Sequence, residues 1–360
     1  MRSSDHAQLV ALGWDQWFGD RFARVAAPDQ RPARVVADHG AGRVVHDGRD
    51  ELPAGLGRRI AAAARGDHPT PPVVGDWVAV SGAGHRVLIE AVLERRSAFR
   101  RAAAGPVTAD QPLAANVDVA LVLAGLDGDL NARRVERYLA LAWSGGAQPV
   151  VLLTKADLAS GARAEGSLAG AERIAGAAPV LAVSARTGDG LERLVALLPP
   201  GRTAVLLGPS GVGKSTLVNR LAGADVMRTG AIRPDGKGRH TTSHRQLVLL
   251  PWGGLLVDTP GLRELQLWDA AEGVDRLFAD VDELAARCRF ADCRHGVEPG
   301  CAVREAIARG ELSEGRLTSY RKLHREAAAT DRRTAQRRDR VAALGRRRRI
   351  ARLREEDLPL

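Results

Sequence analysis

Several short groups of residues in this 360-residue chain have the types and spacing that chemistry requires. Gly208-Pro209-Ser210-Gly211-Val212-Gly213-Lys214-Ser215-Thr216 has the form GxxxxGK[ST]. Its glycines let backbone N–H groups turn inward around a phosphate chain, and a helix that follows presents its positive N-terminus to the same anion. In such a loop Lys214 reaches the β/γ-phosphates and the Ser215 hydroxyl ligates Mg²⁺. Thr154-Lys155-Ala156-Asp157 fits a guanine-reading loop of the form [NT]KxD. Asp157 can accept from guanine N1–H and N2–H₂, a pair that adenine does not offer, while the Lys155 stem lies along the base. Ser184-Ala185 adds a backbone N–H for guanine O6. Each short motif alone also reads as an ordinary helix start, but two of the chain's four lysines fall in these two loops.

Two more segments complete a nucleotide site. Asp258-Thr259-Pro260-Gly261 has the form DxxG, in which the carboxylate holds Mg²⁺ through a water and the Gly261 N–H meets the γ-phosphate. Thr241 and Thr242, after the glycine-rich stretch 230–238, are the candidates for a switch that senses Mg²⁺ and the γ-phosphate. Further on, Cys288-x4-Cys293-x-His295-x5-Cys301 gathers all three cysteines of the protein within 14 residues. With His295 they form a Cys₃His set of tetrahedral zinc type. The other reading is reduced thiols gathered by accident. An odd cysteine count in a chain read as cytoplasmic argues against disulfides.

These groups need elements to hold them. Thr203 to Leu207 is an apolar run before the phosphate loop, and Leu217 to Leu221 has a helical pattern after it, giving strand, loop and helix. Val117 to Leu123, Pro149 to Leu153, Pro179 to Val183 and Leu255 to Val257 read as further strands, with an amphipathic segment from Asn131 to Trp143. This alternation predicts a parallel sheet with ligand loops at the strand C-termini, in a domain over residues 97–267 whose first part, 97–115, reads as an Ala/Gly/Pro-rich linker. Ahead of it, residues 33–96 carry short β-type runs at 34–36, 43–45, 73–80 and 86–93, which predicts a small OB-like barrel. Residues 1–32 place Val10, Trp14, Trp17, Phe18 and Phe22 at helical spacing: an amphipathic helix docked on another domain or free to bind a partner. A mainly helical zinc-binding domain is expected over 268–325 and an Arg-rich tail over 326–360.

Composition fits several domains without a membrane span. Apolar residues make up 45% of the chain, no run approaches the roughly 18 residues a span requires, and the start lacks a signal-peptide pattern. A cytoplasmic location is therefore expected. The net charge of +10 is concentrated at the end: residues 316–360 hold 15 Lys+Arg against 6 Asp+Glu, a local +9 that leaves about +1 for the rest. A polyanionic partner is expected there first. Arg346, Arg347, Arg348 and Arg349 are the tail candidates for phosphate contact; a solvated charge run is the alternative. Arg58, Arg59 and Arg65 are candidates on the barrel, or simply a solvated helix face.

The guanine loop and Ser184-Ala185 precede the phosphate loop, the reverse of the usual order, so the nucleotide domain is circularly permuted. An OB-like barrel followed by TKAD, SA, GPSGVGKST, GRHTT, DTPG and Cys-x4-Cys-x-His-x5-Cys resembles the small-subunit-dependent GTPase A family of ribosome-assembly factors, over residues 33 to 325. The resemblance implies a GTP hydrolase with Mg²⁺ and one structural zinc ion, binding the small ribosomal subunit and its rRNA; a monomer is expected. It further implies stimulation by that subunit and a late checkpoint role. The loop residues and zinc ligands keep the roles given above. Leu262 occupies the place where Ras-type GTPases carry the glutamine that orients the attacking water, so intrinsic hydrolysis is expected to be slow. The resemblance suggests His240 as a substitute. Thr154 stands where asparagine is commoner, and a weaker tie between the guanine and phosphate loops is expected. A P-loop ATPase and a GTP-regulated RNA-binding module with incidental hydrolysis are the competing classes, separable by GTP-versus-ATP binding and by turnover.

Overall fold

The computed structural model describes residues 3–40, 42–63, 71–84, 87–102, 110–128, 130–224, 245–258, 271–330, 332 and 335–336. His240, Thr241, Thr242, Gly261, Leu262, Arg65 and Arg346 to Arg349 lie outside that set, as does the side chain of Asp258.

The amino-terminal segment forms two helices, α1 (Ser3–Ala11) and α2 (Gln16–Val25), where the spacing predicts one. The break is at Gly13, whose φ of +88° suits glycine and whose missing Cβ would stand 2.6 Å from the Gly201 carbonyl oxygen. Asp15 then caps α2 by accepting from the Phe18 N–H at 3.2 Å. Trp14 and Phe18 pack on Trp77, with ring centroids 4.7 and 5.7 Å away, so the aromatic face is docked rather than free.

A five-stranded barrel follows: β1 (Arg31–Asp38), β2 (Arg43–His46), β3 (Glu51–Leu56), β4 (Trp77–Ser81) and β5 (Val87–Val92). The strands run β1-β2-β3-β5-β4 and close through antiparallel β1–β4 pairing, with β3 parallel to β5. Ala33, Val35, Val45, Val78, Val80, Val87 and Ile89 fill the interior, following the two-residue alternation of their strands. The sequence pattern does not reveal β3, because Pro53 and Gly55 interrupt it. Helix α3 (Arg58–Ala63) carries Arg58 and Arg59, both exposed.

Residues 97–115, expected as a linker, instead include an antiparallel hairpin of β6 (Ala98–Ala102) and β7 (Asp110–Ala115). Alanine supplies little hydrophobic alternation, so the strands are hidden; burial of Phe99 and Leu113 anchors them. The nucleotide domain then contains β8 (Val119–Gly125), α4 (Ala132–Ser144), β9 (Gln148–Thr154), α5 (Gly161–Ala175), β10 (Val180–Ala182), α6 (Leu191–Leu197), β11 (Thr203–Leu207), α7 (Lys214–Ala222), β12 (Arg245–Leu249) and β13 (Leu255–Asp258). The sheet order is β10-β9-β8-β11-β13-β12, parallel except for β12. Its central strands are unbroken buried runs, as a sheet covered on both faces requires. The carboxyl end of the domain leads to α8 (Ala271–Leu277), α9 (Ala279–Ala285), α10 (Ala302–Ala308) and a helix over 314–330.

Two features weld barrel to sheet. Strand β1 continues past the barrel to pair with β12, Ala37 opposite Gln246 and Asp38 opposite Arg245. Arg34, fully buried on β1, donates to the carbonyls of Gly75 (3.3 Å), Asn116 (3.2 Å) and Leu12, and to the Thr203 hydroxyl (2.9 Å). Burial lowers its pKa to about 10, opposed by Asp118 and Asp76, so the group remains a cation at neutral pH.

Candidate functional site

Parallel strands put their carboxyl ends on one edge, and the site is built there. The phosphate loop leaves β11, the guanine loop leaves β9, Ser184 and Ala185 follow β10, Asp127 lies beyond β8, and Asp258 ends β13. Sequence order differs from the usual one, yet the loops converge because strand order decides the edge.

The phosphate loop has the backbone its glycines predict. Gly211 and Gly213 have φ of +78° and +101°, and Gly213 caps α7. At Gly208 a Cβ would meet the Leu123 carbonyl oxygen at 3.0 Å, so the loop seats directly on β8. Lys214 Nζ folds back to donate to the carbonyls of Gly208 (2.7 Å) and Pro209 (2.5 Å). Its ammonium therefore bridges the loop mouth at the N-terminus of α7, where a phosphate oxygen would find both the charge and the helix dipole.

The guanine loop is tied to the phosphate loop by one side chain. Thr154 Oγ1 donates to the Val212 carbonyl at 2.7 Å and lies 3.3 Å from that of Ala124. Threonine thus keeps a tie between the two loops through its buried hydroxyl. Lys155 adopts the left-handed region at φ +60°, unusual for a side-chain-bearing residue, and its ammonium pairs with Asp127 at 2.5 Å. Asp157 accepts from Ser184 Oγ at 2.6 Å and from Arg186 Nε at 2.9 Å. The Ser184 hydrogen bond, then its own backbone N–H and Arg186, hold its carboxyl below the usual aspartate range against the opposing effect of desolvation.

Around these groups lies a cavity of 270 Å³. Lys155, Asp157, Ala185 and Arg186 line one side, Gly213 and Thr216 the other, so base-reading and phosphate-reading loops share one space. Asp127 and Arg186 are the site residues that motif reading overlooks. Asp127 carries no motif and is found only by its place after a parallel strand; Arg186 adjoins Ser184-Ala185 and could have been found from that adjacency. Ser215 and Thr216 sit in the first turn of α7, and the backbone of Asp258 reaches the same edge.

That arrangement agrees with the comparisons. A model of the family described as RsgA GTPase matches residues 92–268. Two proteins named "Small ribosomal subunit biogenesis GTPase RsgA" are similar to the chain over most of its length. The one from Opitutus terrae is 48% identical, over 90% of this chain and 91% of its own length. The one from Streptomyces avermitilis is 49% identical, over 90% and 87%. The chain belongs to the RsgA GTPase family. Family membership makes it a GTP hydrolase. Among solved structures, YjeQ from Thermotoga maritima superposes with a TM-score of 0.61 at 27% identity, covering 83% of this chain and 99% of its own. A structure described as YloQ, a circularly permuted GTPase, shares the fold with a TM-score of 0.58, over 83% of this chain and 96% of its own at 24% identity. The barrel, the permuted α/β domain and the helical carboxyl-terminal part are the fold class expected from the sequence.

The cysteines and His295 of this RsgA-family chain gather between α9 and α10. Cys288 Sγ lies 3.5 Å from His295 Nδ1 and 3.9 Å from Cys301 Sγ, and Cys301 Sγ lies 3.6 Å from the same nitrogen. Metal–sulfur and metal–nitrogen bonds of about 2.3 and 2.05 Å at tetrahedral angles require S···S and S···N edges of about 3.8 and 3.6 Å. One ligand atom from each of the four residues lies within 4.8 Å of the others, so the set can hold a metal ion. His295 has φ +58°, and Arg304 pins its carbonyl at 2.7 Å while pairing with Glu314 at 2.6 Å. That supporting pair fixes the ring's backbone against α10.

Proposed function

We propose that this GTP hydrolase acts in maturation of the small ribosomal subunit, is stimulated by that subunit, and gates a late assembly step before leaving. The observation that carries the reading is convergence of a GTP-reading pocket with near-half identity, over nine tenths of the chain, to proteins named for small-subunit biogenesis. In the proposed site Asp157 reads guanine, Lys214 neutralises β/γ-phosphate charge, and the phosphate-loop amides orient the chain. Mg²⁺, held by Ser215 and through water by Asp258 with Thr241 or Thr242, would supply charge neutralisation at the phosphates. Zinc is the metal best suited to the Cys₃His donor set, and its role would be structural because four protein ligands leave no open position. A cytoplasmic, monomeric protein cycling between GTP and GDP fits the same reading.

Slow intrinsic turnover follows from Leu262, which can neither donate nor accept a hydrogen bond to a water. His240 is the proposed replacement, brought to the attacking water on ribosome binding. The test is GTP turnover with small subunits, large subunits or neither. Stimulation confined to small subunits is expected; equal rates in all three would sink the reading. Full stimulated turnover in His240→Ala, with normal GTP binding, would remove His240 from catalysis.

A further inference from the structure

Between α4 and the helix over 314–330 lies a cleft of 360 Å³, away from the nucleotide pocket. Asn131, Arg133, Arg134 and Arg137 line one wall, and Ser319 and Lys322 are on the other. Its width is set from below. Glu136 is buried on α4 and faces Arg316 on the opposite helix at 3.5 Å. Arg316 is itself anchored by Asp280 at 3.0 and 3.1 Å and by the Leu277 carbonyl at 2.6 Å, and lies 4.4 Å over the Phe278 ring. Higher up, Arg137 and Glu326 join the walls at 2.5 Å.

Charge accounting decides what the cleft can receive. Its two carboxylates already have partners: Glu136 with Arg316, and Glu326 with Arg137. Burial also raises the pKa of Glu136, opposed by Ser319 and Arg316, which does not add negative charge to the cleft. Arg133, Arg134 and Lys322 are all exposed and form no ion pair among the described residues. Arg133 also acts on the buried Glu136 carboxylate, but none of the three cations at the preformed groove is held in an ion pair among the described residues. The one aromatic ring in the lining, Tyr138, is 9% exposed and offers little face for stacking a base. Beyond this helix the sequence continues into the arginine-rich stretch, with Arg332 and Arg333 first.

We propose that the α4/C-terminal-helix cleft is a binding groove for the phosphate backbone of RNA, with Arg133, Arg134 and Lys322 as its phosphate contacts. It rests on the reading above that the partner is a ribosomal subunit. The contacts are independent of base sequence, because charge and a fixed width are what the groove supplies. The groove joins the nucleotide domain to the metal-binding domain, so an RNA strand seated in it touches both at once.

The test compares the full-length protein with Arg133→Gln/Arg134→Gln/Lys322→Gln. A control carries Arg173→Gln/Arg193→Gln/Arg287→Gln, exposed residues whose loss changes net charge equally. Binding to purified small subunits and to a random-sequence RNA duplex is measured across KCl concentration, with GTP affinity and melting temperature as checks on folding. The groove variant is expected to keep both checks and to flatten the log–log salt slope by about 2 to 3 on either RNA. Arg133→Lys/Arg134→Lys should retain the slope. An unchanged slope in the groove variant, or equal flattening in the control, overturns the proposal. Wild-type binding to the duplex but not to subunits would defeat the ribosomal reading while the duplex still judges the groove. Wild-type binding to neither RNA overturns both.

Discussion

Asp157 is the residue on which base choice rests, and its surroundings set its pH behaviour. Ser184 and Arg186 hold its pKa below the usual aspartate range, so the carboxylate stays ionised as pH falls from neutral. The stabilisation of the depressed group is complete above its unfolded pKa and is lost only as pH falls through the folded value. The contribution of Asp157 to base choice is therefore expected to be flat from neutral pH to the ordinary aspartate range and to fall below it; the ratio of GTP to ATP affinity at several pH values, in which the triphosphate's own titration cancels, checks this. Asp157→Asn should weaken GTP about 100-fold or more relative to ATP, because a site built to accept two hydrogen bonds would then present a donor to one of them. Competition between the two nucleotides measures the ratio. Thr154→Val keeps the shape and removes the 2.7 Å bond to Val212, leaving that buried carbonyl with less than it had. A net hydrogen-bond contribution of about 1 kcal/mol predicts a loss of folding stability of that size, read as a lower denaturation midpoint. Thr154, Asp157 and Lys214 were legible because each sits in a motif. Asp127 was not, because an acidic residue in a loop becomes meaningful only when the fold brings it to Lys155.

At the scale of elements, the parallel strands of the nucleotide domain were legible wherever apolar runs were continuous. Val119–Gly125, Gln148–Thr154 and Thr203–Leu207 are such runs. The elements that escaped share a cause: their sequence signal is diluted by residues tertiary contacts tolerate. Proline and glycine lie in β3, alanine dominates β6 and β7, and glycine and alanine blur the helical pattern of α5. The break between α1 and α2 was hidden because Gly13 makes sense only against Gly201, almost the whole sheet away in sequence. Replacing it with alanine adds a Cβ too close to backbone that cannot swing aside and places it at φ +88°. Gly13→Ala should cost about 1 to 3 kcal/mol, seen as a lower denaturation midpoint with an unchanged m-value.

For the whole molecule, permutation places the DxxG strand, β13, immediately before the metal-binding part, while α8 packs back on α4, where Gly273 approaches the Ala140 carbonyl. The four candidate metal ligands lie in the loop between α9 and α10, where an ion held by them would add to the packing of the carboxyl-terminal helices on the nucleotide-domain core. Cys301→Ser, or chelation, is expected to unfold that part selectively: loss of carboxyl-terminal helical signal and quicker proteolysis there, with GTP binding within about threefold of normal, since none of the four touches the nucleotide pocket. Far from that end, Arg34 imposes a different constraint. Its hydroxyl partner Thr203 is 169 positions downstream, and its carbonyl partner Asn116 is 82. As a nascent chain leaves the ribosome, the barrel strands emerge long before β11, but this guanidinium has its full set of acceptors only when β11 has followed. The barrel is thus made well before it can be finished, and its completion is timed by synthesis of the strand that carries the phosphate loop.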